Sequence, residues 1–176
     1  MRNDTARWPV TTVGQKPDAS SAGVTLRHIT PVRQTLISGP SKAAMAFVKQ
    51  KEVVGWPEIA TGETYAISMR RDRLIMIGGG ITKYGWDDKA GLAISDVSSG
   101  YEIMSISGHR AYDVLRTGTE LPLDQPSRSA LRLWNGYGVI LYRHGTEDTY
   151  RIHAASAHFE GVWEMLNRQM KLVSES

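Results

Sequence analysis

The chain has 176 residues, a formal net charge of +3 and a pI of about 9.2, and it contains no cysteine. Without cysteine there can be no disulfide, no thiolate nucleophile and no sulfur ligand for a metal. Hydrophobic residues make up 41% and charged residues 22% of the sequence, as in an ordinary soluble protein with one domain or two small halves that share a core.

The basic residues do not form the pattern of a nucleic-acid surface. They are scattered apart from Arg70-Arg71-Asp72-Arg73, which includes its own acid, and no stripe of Lys and Arg alternates with aromatic residues. No apolar run approaches the roughly 18 residues of a membrane span. The N-terminus, MRNDTARWPVTTVG, lacks the apolar stretch of a secretory signal. We therefore expect a cytoplasmic protein that binds neither nucleic acid nor membrane.

The first 22 residues are rich in Ser, Thr, Pro, Asp and Ala and show no periodicity. This composition predicts a flexible N-terminal tail over residues 1–22 that orders, if at all, against a partner. Residues 23–176 then form a single domain, which the pattern of elements divides into two similar halves at about 23–82 and 90–172.

The first half combines four strands with one helix. VTLRHI and VRQTLIS are typical of strands, and TYAISMRRDRLIMIG predicts two more strands around the charged turn at 70–73. GPSKAAMAFVKQK predicts a helix that starts at Pro40-Ser41. VVGWPEIATGETY is typical of a loop. The glycines at 78–80 end a strand, because GGGITKYGWDD lacks the Gly-Lys-Ser/Thr and following helix of a phosphate-binding loop.

The second half has a clearer pattern. DVSSGYEIMSIS predicts a half-buried strand with Met104 and Ile106 on one face, and HRAYDVLRTG predicts a short helix. Asn135-Gly136 suits the turn of a β-hairpin between SALRLW and YGVILYR, and DTYRIHA predicts a further strand. Ser156 is the predicted N-cap of a last helix. That helix has one apolar face, formed by Phe159, Val162, Trp163, Leu166 and Met170.

Helices interleaved with antiparallel hairpins indicate an α+β protein rather than regular βαβ crossovers. Two halves of this kind predict two ferredoxin-like units of the split βαβ type with antiparallel sheets.

No pattern of residues predicts a catalytic or metal site. His153 and His158 lie five residues apart and lack both the spacing and the carboxylate of a metal site, and no Gly-x-Ser-x-Gly elbow occurs. Asp87-Asp88 are typical of a solvated turn. Asp96, in Asp96-Val97-Ser98, is the remaining candidate, and an aspartate in this context usually bonds to nearby backbone.

The run AISDVSSGYEIMSISGHRAYDVLRTGTELPLD, residues 93–124, resembles the gamma subunit of heterotetrameric sarcosine oxidase. That family is related to the folate-dependent aminomethyltransferases, or T-proteins, of the glycine cleavage system. GVILYRHGTEDTYRIHAASAHFEGVWEML, residues 138–166, resembles the gamma-subunit ending, so the likeness covers about residues 24–172. The matching positions are Asp96, Val97, Ser98, Ser107, Gly108, Ala111, Leu115, Leu121, Asp124, Tyr150, Ile152, Ser156, Trp163 and Leu166.

Two stretches depart from the family pattern. The Gly-Pro-Asp-Glu-Trp turn of the family is Met69-Arg70-Arg71-Asp72-Arg73 here, which keeps only the Asp, and QPSRSALRL replaces a Phe-x-x-Gly and a Thr before the hairpin. The departures bear on which oxidase complex the chain serves more than on its T-protein-like fold.

The resemblance implies a non-catalytic accessory subunit of a sarcosine-oxidase-like complex. Such a complex demethylates sarcosine or a related N-methyl amine and passes the methyl carbon to tetrahydrofolate. FAD, FMN, NAD and tetrahydrofolate are then expected in larger flavoprotein subunits, with no cofactor, metal or catalytic residue in this chain. Asp96 is expected to cap a strand, and it is the one candidate for a folate-side residue. Neither the amine nor the stoichiometry follows from the sequence.

Two other functions fit the same resemblance. One is a stand-alone folate-binding or aminomethyltransferase-like protein, which needs a pterin pocket reached by a carboxylate such as Asp96 or Asp72. The other is a generic interaction module with the same fold. As a subunit, the chain should expose aromatic residues at its interfaces, and Trp8, Trp56 and Trp86 are the candidates. Trp134 and Trp163 are expected in the core.

Overall fold

The computed structural model describes residues 14–21, 23–29, 32–49, 53–120 and 122–174. Within these ranges the elements, numbered along the chain, form two sheets and three helices. The strands of sheet A are β1 (Ala19–Ser21), β2 (Val24–Ile29), β5 (Ile59–Ala60), β10 (Tyr101–Ser107), β11 (Leu131–Trp134), β12 (Tyr137–His144) and β13 (Thr149–Ala155). The strands of sheet B are β3 (Gln34–Ser38), β4 (Val53–Val54), β6 (Tyr65–Arg70), β7 (Arg73–Ile77), β8 (Gly85–Asp87) and β9 (Leu92–Asp96). The helices are α1 (Ser41–Val48), α2 (Ala111–Arg116) and α3 (Phe159–Ser174), and a 3₁₀ turn, Ser156–His158, leads into α3.

Each sheet contains a split βαβ unit, and both sheets are mainly antiparallel. The strand order is β1-β2-β10-β13-β12-β11 in sheet A, with β5 beside β12, and β4-β6-β7-β3-β9-β8 in sheet B. In sheet B the chain passes from β3 through α1 to β6, and β7 fills the space between the two strands. In sheet A it passes from β10 through α2 towards β12, with β13 between them. The predicted α+β class with antiparallel sheets is confirmed.

The sheets exchange strands across the predicted halves. β2 pairs with β10, so an N-terminal strand belongs to the sheet of the second half. β9 pairs with β3 in the sheet of the first half. The two sheets therefore do not coincide with residues 23–82 and 90–172. The predicted tail overlaps the described part of the chain at β1, and residues 1–13 lie outside the described ranges.

The described elements form four layers: α2 together with α3, then sheet A, then sheet B, then α1. Each sheet can pack on both sides because successive side chains along a strand point to opposite faces of the sheet. Met104 and Ile106 pack with the apolar face of α3 on the outside of sheet A. Ala44 and Val48 of α1 cover the outside of sheet B. The layer between the sheets holds apolar residues from both of them, namely Ile67, Ile75, Ile77, Ile140 and Tyr142.

The structure confirms one predicted turn and corrects one predicted helix cap. The Asn135-Gly136 turn is confirmed, with φ of 46° and 83° in the hairpin between β11 and β12. The Ser156 N-cap is wrong, because its hydroxyl donates to the carbonyl oxygen of Ser99 at 2.9 Å. None of the helices in the described ranges is long and apolar enough to cross a membrane.

The expected exposure of Trp56 is wrong. Its side chain is 2% exposed, and its indole N–H donates to the carbonyl oxygen of Leu123 at 2.7 Å. Trp134 and Trp163 are buried and Trp86 is 64% exposed, as expected. Trp8 lies outside the described residues.

Candidate functional site

Asp96 lies at the end of β9 and closes a local turn. One of its carboxylate oxygens accepts both the hydroxyl of Ser98, at 2.6 Å, and the backbone N–H of Ser98, at 2.9 Å. These hydrogen bonds, the hydroxyl one first, lower the pKa of the Asp96 carboxyl. The Ser98 oxygen also accepts the backbone N–H of Gln34 at 2.9 Å. Asp96 thus fixes a serine that ties the end of β9 to β3, and a folate-side role for it remains a prediction.

A buried chain of hydrogen bonds crosses the layer between the two sheets. Arg151 donates to the Tyr65 hydroxyl at 2.7 Å, and the hydroxyls of Tyr65 and Tyr142 lie 2.9 Å apart. The Tyr142 hydroxyl lies 2.8 Å from Nε2 of His153, whose Nδ1 lies 2.7 Å from the side-chain oxygen of Gln34. Three of these hydrogen bonds join a residue of one sheet to a residue of the other, namely Arg151–Tyr65, Tyr65–Tyr142 and His153–Gln34.

The hydrogen-bond chemistry fixes the direction of every link. Gln34 uses its amide N–H₂ to donate to the carbonyl oxygen of Tyr101 at 2.8 Å, so its oxygen must accept from Nδ1 of His153. Nε2 of His153 then accepts from Tyr142, which accepts from Tyr65, which accepts from Arg151. Arg151 only donates, and each of the other four side chains both donates and accepts without conflict.

Burial keeps three side chains of this hydrogen-bond network uncharged, namely those of Tyr65, Tyr142 and His153. Desolvation, with a further contribution from the charge of Arg151, lowers the pKa of His153 to about 3, and burial raises the pKa values of Tyr65 and Tyr142. His153 and Tyr142 are fully buried. The arrangement holds the sheets in register, and no substrate can reach the imidazole without opening the layer. The sequence pattern draws attention to His153 only as a possible metal ligand, and nothing in it indicates the network, because the members are far apart along the chain.

A cavity of about 270 Å³ lies where the β6–β7 hairpin meets the start of α1. We call it the arginine cavity, since four arginines line it: Arg70, Arg71, Arg73 and Arg128. Glu58 also lines it, and its carboxylate accepts the backbone N–H of Gly55 at 2.7 Å. Asp72, in the same hairpin turn, and Asp96 are not among its lining residues. The basic run at 70–73 is evident in the sequence, but no local pattern indicates that Arg128 lines the same cavity.

The other sequence candidates lie apart from this cavity. Asp87 accepts the backbone N–H groups of Lys89 and Ala90, and Asp88 accepts the indole N–H of Trp86, which confirms the predicted turn. Within the described ranges, no three His, Asp or Glu side chains are grouped so that they could hold a metal ion.

Comparison with solved structures finds proteins with a similar fold. A chain of the heterotetrameric sarcosine oxidase from Corynebacterium sp. U-96 superposes with a TM-score of 0.67, at 17% sequence identity, over 89% of this chain and 88% of that one. The two chains share a fold. The glycine cleavage system aminomethyltransferase T from Bartonella henselae gives a TM-score of 0.46 at 13% identity, over 83% of this chain but 46% of that one, so this chain spans about half of its length. No family model and no curated protein matches the sequence.

Proposed function

We propose that this chain is a non-catalytic accessory subunit of a heterotetrameric oxidase that demethylates sarcosine or a related N-methyl amine and passes the methyl carbon to tetrahydrofolate. The observation that carries the proposal is the nearly end-to-end overlap with a chain of the Corynebacterium oxidase. The sequence resemblance over residues 93–124 and 138–166 supports the same subunit. FAD, FMN, NAD and tetrahydrofolate would be held by the larger partner chains.

The surface of sheet B supports a role in assembly. β8 forms one edge of the sheet, and it carries Trp86, whose side chain is 64% exposed, close to Tyr84, which is 39% exposed. An exposed sheet edge is a site where another chain can pair, and tryptophan is enriched in protein interfaces. The β8 edge is therefore the surface at which we place a larger subunit.

Co-purification from the native cell tests the proposal. A tagged chain should elute with larger flavin-containing chains, and the yellow complex should oxidise sarcosine or another N-methyl amine. The Trp86→Ser variant should lose these partners. Leu172→Ser is the matched control, because Leu172 is an exposed apolar residue, 50% accessible, that lies on α3 and not at a sheet edge.

A colourless chain that elutes without partners would contradict the subunit proposal. Titration of tetrahydrofolate against tryptophan fluorescence would then test the stand-alone folate-binding function, and five tryptophans provide the signal.

A further inference from the structure

The arginine cavity carries an unbalanced charge. Four arginines and one acidic residue, Glu58, line the same space of about 270 Å³, and none of the four arginines has an ion-pair partner among the described residues. Arg70 and Arg73 are direct cross-strand partners in the β6–β7 hairpin. Like charges in that position destabilise a hairpin, and an anion between them would turn the repulsion into attraction.

One of the arginines that line the cavity contains a buried hydrogen-bond donor without a partner. Nε of Arg73 is buried and has no hydrogen-bond partner, although a buried donor without a partner is costly. Ser41 and Ser68 also line the cavity, and the Ser41 hydroxyl donates to the sulfur of Met45 at 4.0 Å. Ser41 also begins α1, which has neither a side-chain cap nor an acidic residue in its first turn, so the positive end of the helix dipole adds to the field of the arginines.

The remaining wall of the cavity is apolar. Ala44 and Met45 of α1, Val53 of β4 and Leu74 of β7 supply it. A wider depression of about 700 Å³ shares Ser41, Ser68 and three of the arginines with the cavity, and adds Ser127 and Ser129. Basic and hydroxyl groups beside a short apolar wall suit a small organic anion better than a bare metal or a neutral ligand.

We propose that the arginine cavity binds a small molecule that carries an oxyanion group, a phosphate or a carboxylate, on a short apolar body. The guanidinium groups of Arg70, Arg73 and Arg128 bind the oxyanion, since arginine matches the geometry of both groups with paired N–H donors. Ser68 donates a further hydrogen bond, and the apolar body packs against Met45 and Leu74. This inference does not depend on the proposed subunit role.

Calorimetric titration of the full chain at low ionic strength tests the site, with inorganic phosphate and succinate as separate probes. We expect saturable binding of one probe molecule per chain. Arg70→Gln and Arg128→Gln should each weaken binding by roughly tenfold, the effect of losing one charge-assisted hydrogen bond. Arg27→Gln is the control, because Arg27 is exposed in β2 and pairs with Asp18 at 2.9 Å. Its binding should equal that of the wild type.

The Nε–H resonance of Arg73 gives a second, local readout by NMR, and it should shift on addition of the probe. Tighter binding of phosphate would assign a phosphate ligand, and tighter binding of succinate a carboxylate; either supports the site. Equal weakening by Arg27→Gln, or no saturable binding of either probe, would overturn the proposal. Binding of a hexaglutamate peptide without binding of either small probe would overturn it too, in favour of an acidic segment of a partner protein.

Discussion

Nδ1 of His153 donates to the side-chain oxygen of Gln34 across 2.7 Å, and this bond joins β13 of sheet A to β3 of sheet B. Both side chains are fully buried. Most of the side chains in the layer between the sheets are apolar, and apolar contacts have no direction, whereas a chain of directed hydrogen bonds has one satisfied arrangement. The polar network therefore fixes how one sheet sits on the other.

Replacement of Gln34 by alanine should destabilise the protein by about 3 kcal/mol, because the N–H of His153 and the carbonyl of Tyr101 both lose their partner inside the core. Urea denaturation followed by circular dichroism measures the change. Gln125→Ala, in an exposed turn, should leave the free energy of unfolding within about 0.5 kcal/mol. A loss below 1 kcal/mol for Gln34→Ala would show that water or a neighbour replaces the missing amide.

The local elements could be predicted from the sequence because their signals are local. The stripe from Phe159 to Met170 indicates α3 through its spacing alone, and Asn135-Gly136 indicates its hairpin through backbone preference. Strand partners carry no such signal. The pairing of β2 with β10 and of β3 with β9 depends on contacts between distant parts of the chain, so equal division of the sequence could not give the sheets.

The buried tryptophan and the arginine cavity also depend on contacts between distant parts of the chain. Trp56 lies between Gly55 and Pro57, which are typical of an exposed loop, but its backbone N–H and C=O both bond to Ser127 at 2.7 Å and draw the ring into the core. Arg128 follows that bridge and so reaches the arginine cavity. Asp96 could be interpreted correctly as a backbone-bonding residue because its partner, Ser98, is two residues away.

Stability should fall as the pH falls from 7 to 5, because the folded chain cannot protonate His153. Burial lowers the pKa of His153 to about 3 in the folded protein, whereas histidine in the unfolded chain has a pKa near 6.5. The contribution of His153 to the free energy of unfolding is therefore fully present above about pH 6.5 and is lost as the pH falls towards 3. The loss between pH 7 and pH 5 should be about 2 kcal/mol from this residue. Urea titrations at the two pH values measure it.

The variant His153→Gln should be less stable than the wild type at pH 7. Its loss of stability between pH 7 and pH 5 should, however, be smaller than that of the wild type by about 2 kcal/mol. His109→Gln, which removes an exposed histidine, should keep the dependence of the wild type. An unchanged pH dependence in His153→Gln would mean that the folded protein accepts the proton after all.

Ser98→Ala should raise the pKa of the Asp96 carboxyl towards its usual value, because the Ser98 hydroxyl is the largest cause of its lowering. The substitution also leaves the backbone N–H of Gln34 without its acceptor, which should cost about 1–2 kcal/mol of stability. A ¹³C NMR titration of the carboxyl measures the pKa. Ser99→Ala, whose side chain is exposed next to it, should change neither quantity, and the same pKa in both variants would contradict the assigned role.

Trp56→Ala and Trp86→Ala should differ sharply in stability, although both tryptophans lie in stretches with loop composition. Trp56 packs against Tyr150 with 6.1 Å between ring centroids, and the guanidinium of Arg143 lies 5.5 Å from the centroid of its ring. Its removal should lower the free energy of unfolding by about 4 kcal/mol. Trp86→Ala removes an exposed ring and should change it by less than about 0.5 kcal/mol. Urea denaturation of the two variants measures the difference, and a large loss for Trp86→Ala would mean that the β8 edge is part of the core rather than a surface for a partner.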